Sequence, residues 1–175
     1  MPIVKLPKQI EPHKSAQKRS DYVGVFVASD MQRLDEMVVS ILADISVDVK
    51  FETDAQGLTF FHGNLQTKVS LECQRCNEPF DFPVDVAFCY SPIKTGESTD
   101  ELPEAYEPVE LNEHGEINLM ALFEDEIILS LPIVAMHDEN LCKVKGNELS
   151  YGKIEPAVKQ PNPFAVLKEL KQNQE

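Results

Sequence analysis

Two cysteines three positions apart, in Cys73-Gln74-Arg75-Cys76, are the residues of this 175-residue chain best spaced for chemistry. Thiolates at that spacing can grip one tetrahedral metal ion from a tight turn. Two further ligands are needed, and His137 and Cys142 are the best pair, because they sit together in a polar segment just after an apolar helical stretch. Cys89 is the weaker choice: it falls on a strand pattern, on the face shared with Asp81 and Asp85. Zinc held by Cys73, Cys76, His137 and Cys142 is the candidate structural cofactor, and no other cofactor is indicated. The same residues also read as reduced thiols at a hairpin tip, with His137 an ordinary loop histidine.

Other chemistries have less support. A redox Cys-x-x-Cys pair sits at a helix N-terminus, where the dipole lowers a thiol pKa. Here the following Asn77-Glu78-Pro79-Phe80 points to a turn into a strand. Glu124, Asp125 and Glu126 are consecutive on a helical pattern, point in different directions, and read as a solvated face rather than an acid–base pair. His13, His62 and His114 have no serine or cysteine partner in a recognised arrangement, and there is no glycine-rich phosphate loop. A zinc-dependent nuclease would need an open metal position, whereas thiolate-rich ligand sets suit closed structural sites. The chain is therefore expected to bind rather than to catalyse.

Charge narrows the partners. The formal net charge is −14, unevenly spread. Residues 1–20 carry Lys5, Lys8, Lys14, Lys18 and Arg19 against Glu11, about +4, and the remaining 11 basic and 29 acidic residues give about −18. No Lys or Arg occurs from Thr95 to Cys142. An acidic body repels phosphate, so RNA contact is expected only at the basic segment, through Lys14, Lys18 and Arg19 with Tyr22 for stacking. The acidic stretch, with Glu104, Glu107, Glu110 and Glu113, suits a basic protein. The start lacks a continuous apolar run, so no secretory leader is expected, and four cysteines do not suggest a disulfide scaffold. A cytoplasmic protein with reduced thiols and no membrane association is the expectation.

The elements that must position these residues follow from periodicity. The first 20 residues read as an extended basic arm, with a short strand around Ile3 to Leu6. Tyr22 to Val27 reads as a strand, and residues 30–40 as a helix behind Ser29 and Asp30. Ile45, Val47, Val49 and Phe51 alternate with polar neighbours, and Asp54-Ala55-Gln56-Gly57 is a turn. Alternation resumes at Leu58 and Phe60, again from Leu65 to Cys73, and again from Phe80 to Tyr90. Period-two patterning over successive segments predicts an antiparallel sheet with one buried face. The fold class is α+β: an antiparallel β meander or partial barrel with two or three short helices packed on it. Residues 92–115 read as a long acidic loop, and Ile117 to Leu131 as a helix ended by Pro132. The expected organisation is a basic arm at 1–20, a core domain at 21–135, a loose connection at 136–160 and a C-terminal helix at 161–175, with Pro163 at its first position.

Seven segments together resemble one family: AQKRSDYVG (16–24), LECQRC (71–76), LPEAYEPVE (102–110), GEINL (115–119), EDEIILSLP (124–132), HDENLC (137–142) and PNPFAVL (161–167). In order and spacing they resemble the bacterial YceD proteins, the large ribosomal RNA subunit accumulation proteins, most closely the gammaproteobacterial members. The resemblance implies a non-enzymatic role in synthesis, processing or stability of 23S rRNA in a bacterial cytoplasm. It implies no catalytic residues. It also implies that relatives often carry a second cysteine pair after the acidic helix, where this chain has His137 and Cys142. The partners expected are large-subunit ribosomal RNA or a basic ribosomal protein. The alternative to an RNA-contacting factor is an acidic chaperone for one such protein.

Overall fold

A strand that alternates apolar and polar residues can bury only one of its faces, and the longest such segments here form the centre of a sheet. In the computed structural model, which describes residues 5–99, 102–144 and 152, β4 (Ile45–Thr53) buries Ile45, Val47, Val49 and Phe51 and exposes the residues between them. It pairs antiparallel with β5 (Thr59–Glu72), which pairs antiparallel with β6 (Pro79–Ile93). This three-strand meander is the one expected. Asp54 closes its first turn, its side chain accepting from the N–H groups of Gln56 and Leu58 at 2.9 Å each, while Gly57 takes a positive φ of 88°.

The sheet extends at both edges. β2 (Asp21–Phe26) pairs antiparallel with the outer side of β4. The short β3 (Ser40–Ile41) pairs with β5 beyond the end of β4. Ile41 faces Val69 but Ser46 faces Gln66, so the β3–β4 side carries two extra residues that bulge outward. The Thr67 hydroxyl donates to the Ala43 carbonyl at 2.8 Å and pins the bulge. On the far side β7 (Glu107–Glu110) pairs with β6 in parallel. The path β2-β4-β5-β6-β7 ends in two open edges, so the sheet is mixed and not a closed barrel. β5 runs through 14 residues, and Gly63 within it lies where its neighbours leave no room for a side chain. A Cβ there would collide with the Asp48 carbonyl and press on Phe88.

Short helices cover the buried face. α3 (Leu119–Ser130) starts behind Asn118, whose side chain accepts from the Ala121 N–H at 3.1 Å. It buries Leu119, Phe123 and Ile127, with the Phe123 ring 4.9 Å from Phe88 and 6.2 Å from Phe26. α2 (Gln32–Met37) contributes fully buried Leu34 and lies beside α3. A six-residue helix has no stability of its own. The buried Glu124 carboxylate of α3 supplies what it lacks, accepting from the N–H groups of Arg33 at 2.8 Å and Leu34 at 3.1 Å. These are donors of the first turn of α2, otherwise unpaired. The Arg33 side chain completes the contact, 3.0 Å from Glu124 and 2.5 Å from Asp125. On the same helix Glu126 accepts from the Tyr90 hydroxyl, tying α3 to β6.

Four expectations change. The acidic triplet is not one solvated face: Glu124 is buried and cross-braced, because it falls beside Phe123 on the face of α3 that also carries Leu119 and Ile127. The N-terminal segment is not an extended arm. β1 (Gln9–Ile10) pairs with β8 (Ile117–Asn118), and α1 (Pro12–Gln17) follows with Pro12 at its first position, packing on β4 and β5. Of the strand expected at Ile3 to Leu6, residues 3 and 4 lie outside the described residues, and Lys5 makes one isolated parallel bridge to Val25. The helix expected over 30–40 is cut to α2 with a 3-10 turn at Ala28–Asp30 before it. The loop expected at 92–115 loses its first two residues to β6 and contains β7.

Met1–Lys143 form one unit and Val144–Glu175 a second; the architecture above is that of the first. The helix expected at 161–175 lies outside the described residues. No described helix is long and apolar enough to cross a membrane.

Replacing Glu124 with Ala leaves two helix donors and Arg33 without their acceptor, and should cost about 3 kcal/mol in urea denaturation, with Glu124→Gln costing less because an acceptor oxygen remains. Glu126 behaves differently. Burial raises its pKa above 4.5 in the folded chain, so the folded state holds the proton longer than the unfolded one. Its contribution is complete below that ordinary value and is lost as pH rises through the folded pKa. The urea midpoint of Glu126→Gln should therefore gain on that of the parent between acidic and neutral pH; parallel profiles would refute this.

Candidate metal centre

The turn between β5 and β6 is built around its cysteines. The Cys73 N–H donates to the Glu78 carbonyl at 3.0 Å, and the Asn77 N–H donates back to the Cys73 carbonyl at 2.8 Å. Asn77 takes a φ of 57°, a left-handed conformation that its short polar side chain tolerates. This tight return sets Cys73, which is buried, beside the half-buried Cys76.

The other half of the site comes from the chain leaving α3. Leu131 and Pro132 end the helix, and the chain runs back along the turn. The Gln74 N–H donates to the Ala135 carbonyl at 2.9 Å, and the Gln74 side chain reaches the Ile133 carbonyl at 3.4 Å. Two residues later His137 stands 3.8 Å from the Cys76 sulfur, with its ring against Phe80. A turn follows in which the Asp138 carbonyl accepts from Leu141 and Cys142, bringing Cys142 back to the cluster. Lys143 then pairs with Glu78 and closes the loop.

One ligand atom from each of Cys73, Cys76, His137 and Cys142 lies within 4.8 Å of all the others. A tetrahedral ion bound through sulfur at about 2.3 Å has ligand–ligand edges of about 3.8 Å, so the four fit one metal ion with a small contraction. The surrounding backbone fits it too. Burial alone would push the Cys73 thiol up, but the N–H groups of Arg75, His137 and Cys76 point at its sulfur and bring the pKa down from 9.0 to about 6. Burial pushes the Cys76 thiol up, helped by its bonds to Cys142 and Cys73, while the Glu78 and Lys143 N–H groups pull against that rise. Sulfurs ringed by N–H donors are prepared to carry negative charge next to a cation. The Nδ1 of His137 is buried and finds no partner among the described residues. The site can thus hold a metal ion by its donor set, its spacing and its backbone support.

All four cysteines are free. Cys89 stands apart on β6, opposite His62, with its thiol pushed up by burial. Spacing alone did not reveal Gln74, Glu78 and Lys143, which hold the two halves together; a strand-like pairing between residues about 60 apart leaves no local signal.

The other singled-out residues are partly gathered. Lys14, Lys18 and Tyr22 line one surface cavity of about 270 Å³ beside α1, shared with Glu11 and Glu116. Lys14 is paired with Glu11 at 3.3 Å, and the Tyr22 ring meets Phe51 edge-on at 5.8 Å. Arg19 is exposed, does not line this cavity, and has a φ of 49°. Glu107 and Glu110 are exposed on the edge strand β7, and Glu104 is exposed in the turn before it. Glu113 lies apart, in the Asn112–Gly115 turn, beside a cavity that also meets His13 and Lys94.

Comparison with known proteins gives a consistent result. The family model described as large ribosomal RNA subunit accumulation protein YceD matches residues 61–171. That range contains all four residues of the metal group and begins after Tyr22. The large ribosomal RNA subunit accumulation protein YceD of Haemophilus influenzae is 48% identical over 170 residues, covering 97% of this chain and 98% of that relative. No solved structure matches.

Cobalt(II) added to the reduced protein should give the intense visible bands of tetrahedral thiolate coordination. Cys73→Ser and Cys142→Ser should each weaken uptake sharply, and Cys89→Ser should not. Uptake undiminished in the Cys73 and Cys142 variants would place the metal elsewhere.

Proposed function

The chain belongs to the YceD family of large ribosomal RNA subunit accumulation proteins, and from that premise we propose that it is a non-enzymatic ribosome-biogenesis factor of the bacterial cytoplasm, acting in synthesis, processing or stability of 23S rRNA. The closed donor set carries the non-enzymatic part of this reading. Three thiols and an imidazole supply all four ligands of a tetrahedral ion, which suits zinc in a structural role and leaves no position for substrate water. Zinc bound there would supply a cross-link between the β5–β6 turn and the chain after α3. Gln74, Glu78 and Lys143 already align those two pieces.

The charge distribution supports a division of labour. Lys14, Lys18 and Tyr22 around one cavity, with Arg19 close in sequence, form the contact for ribosomal RNA. The exposed Glu104, Glu107 and Glu110 on and before β7 face a basic large-subunit protein. The second reading is an acidic chaperone for such a protein without RNA contact. It draws on the −14 net charge and on the pairing of Lys14 with Glu11, which spends part of the basic surface.

Affinity isolation from lysate with and without nuclease separates the two. Large-subunit precursor RNA should be recovered, with ribosomal proteins leaving after nuclease. Charge reversal at Lys14, Lys18 and Arg19 should abolish recovery, and RNA binding should fall steeply with salt. One basic ribosomal protein retained after nuclease, with no RNA recovered before it, would establish the chaperone reading instead.

A further inference from the structure

We propose that the groove between the end of α2, the end of β5 and the chain leaving α3 docks a basic, amphipathic segment of a protein partner. This rests on the reading above that the chain works by binding a component of the ribosome, and it names where on the surface and with what chemistry. The groove encloses about 420 Å³. Its walls are apolar: Met37, Val39, Leu71, Leu131 and Pro132. Met37 and Val39 remain 63% and 56% exposed, and Ile133, next along the wall, is 95% exposed. Apolar side chains held in water around one concavity mark a site that a partner covers. Met37 gives the surface adaptability.

Charge decides the occupant. The charged residues lining the groove are Glu36 and Glu72, and none of its lining residues is basic. Both carboxylates are exposed at the rim. RNA and anionic lipid would bring phosphates against them, and the lining has no aromatic ring on which a base could stack. A second copy would bring another −14, its basic residues 1–20 being outweighed by about −18 in the rest of the chain. A segment with apolar anchors and Lys or Arg beside them fits both features.

The groove is coupled to the metal centre. Gln74 lies between Cys73 and Cys76 in sequence, lines the groove, and holds the Ala135 and Ile133 carbonyls of the opposite wall. Arg75, on the same turn, donates to the Met136 sulfur at 3.6 Å. Loss of the Cys73–Cys76–His137–Cys142 cluster would therefore loosen one wall.

The test uses the full chain and a labelled amphipathic Leu/Lys peptide, with Leu/Glu and Ser/Lys peptides as comparisons, followed by fluorescence anisotropy. The Leu/Lys peptide should bind best. Met37→Ser/Val39→Ser and Glu36→Lys/Glu72→Lys should each weaken it about tenfold or more, while Asp48→Lys/Glu52→Lys, equal in net charge and exposed on β4 away from the groove lining, should change it less than about twofold. Circular dichroism checks that each variant is folded. Equal weakening by the two charge variants, equal binding of the Ser/Lys peptide, or displacement of the peptide by an RNA oligonucleotide would overturn the proposal. So would a dimer in sedimentation that Met37→Ser/Val39→Ser dissociates. Failure of peptide binding while the parent protein still recovers large-subunit RNA or a ribosomal protein from lysate sinks the groove alone; absence of both sinks the reading beneath it.

Discussion

The carboxylate of Glu124 holds two helices in one place. α2 is too short to persist alone, and the first-turn N–H groups of Arg33 and Leu34 would otherwise face the core unpaired. Glu124 answers them from the neighbouring helix, and its negative charge sits where the dipole of α2 is positive. The half-exposed Arg33 guanidinium reaches back to Glu124, Asp125 and the Ala121 carbonyl, so the bracing runs both ways. Once α3 is fixed on the sheet by this contact and by Phe123 against Phe88, its C-terminal exit is fixed as well. That exit decides where Ala135 meets Gln74, and hence where His137 and Cys142 arrive. The position of the metal group is in this sense inherited from a buried carboxylate well outside it.

The parts of this fold that are legible in the sequence are those whose determinants are local. Strict alternation marks β4 and most of β5 and β6, because a half-buried strand must place every second side chain inward. Asp54 and Gly57 announce their turn through an Asx contact and a positive φ. What is missed depends on distant partners. β7 reads as loop because Glu107-Pro108-Val109-Glu110 has little strand preference, and parallel pairing with β6 supplies its order. α1 has a signal that is easy to pass over: Pro12 opens it, a position that wastes no backbone donor. The metal group stands between these cases. The Cys73–Cys76 spacing is local and visible, and His137 and Cys142 can be chosen by composition, but only the pairing at Gln74 explains why they converge.

The two edges of the sheet are managed by different means. At one, β2 is partly covered by the segment at Lys5 and Leu6, where the Leu6 N–H reaches the Val25 carbonyl at 3.4 Å. At the other, β7 presents Pro108, which cannot donate, between two exposed glutamates. An edge of this kind resists pairing with a further strand. The acidic character of this region thus also serves to keep chains apart.

The two halves of the cysteine and histidine cluster are separated by 61 residues, from Cys76 to His137. A protein is made from its N-terminus, so the first half of the site is complete before β6 has been synthesised, and the second half appears only after α3. Until then Cys73 and Cys76 lack the other two side chains of the cluster. In the folded chain the two halves meet where Gln74 pairs with Ala135 and Glu78 with Lys143. All four side chains can hold one cation only in a chain that extends through residue 142, and nascent chains that stall before it carry an incomplete site.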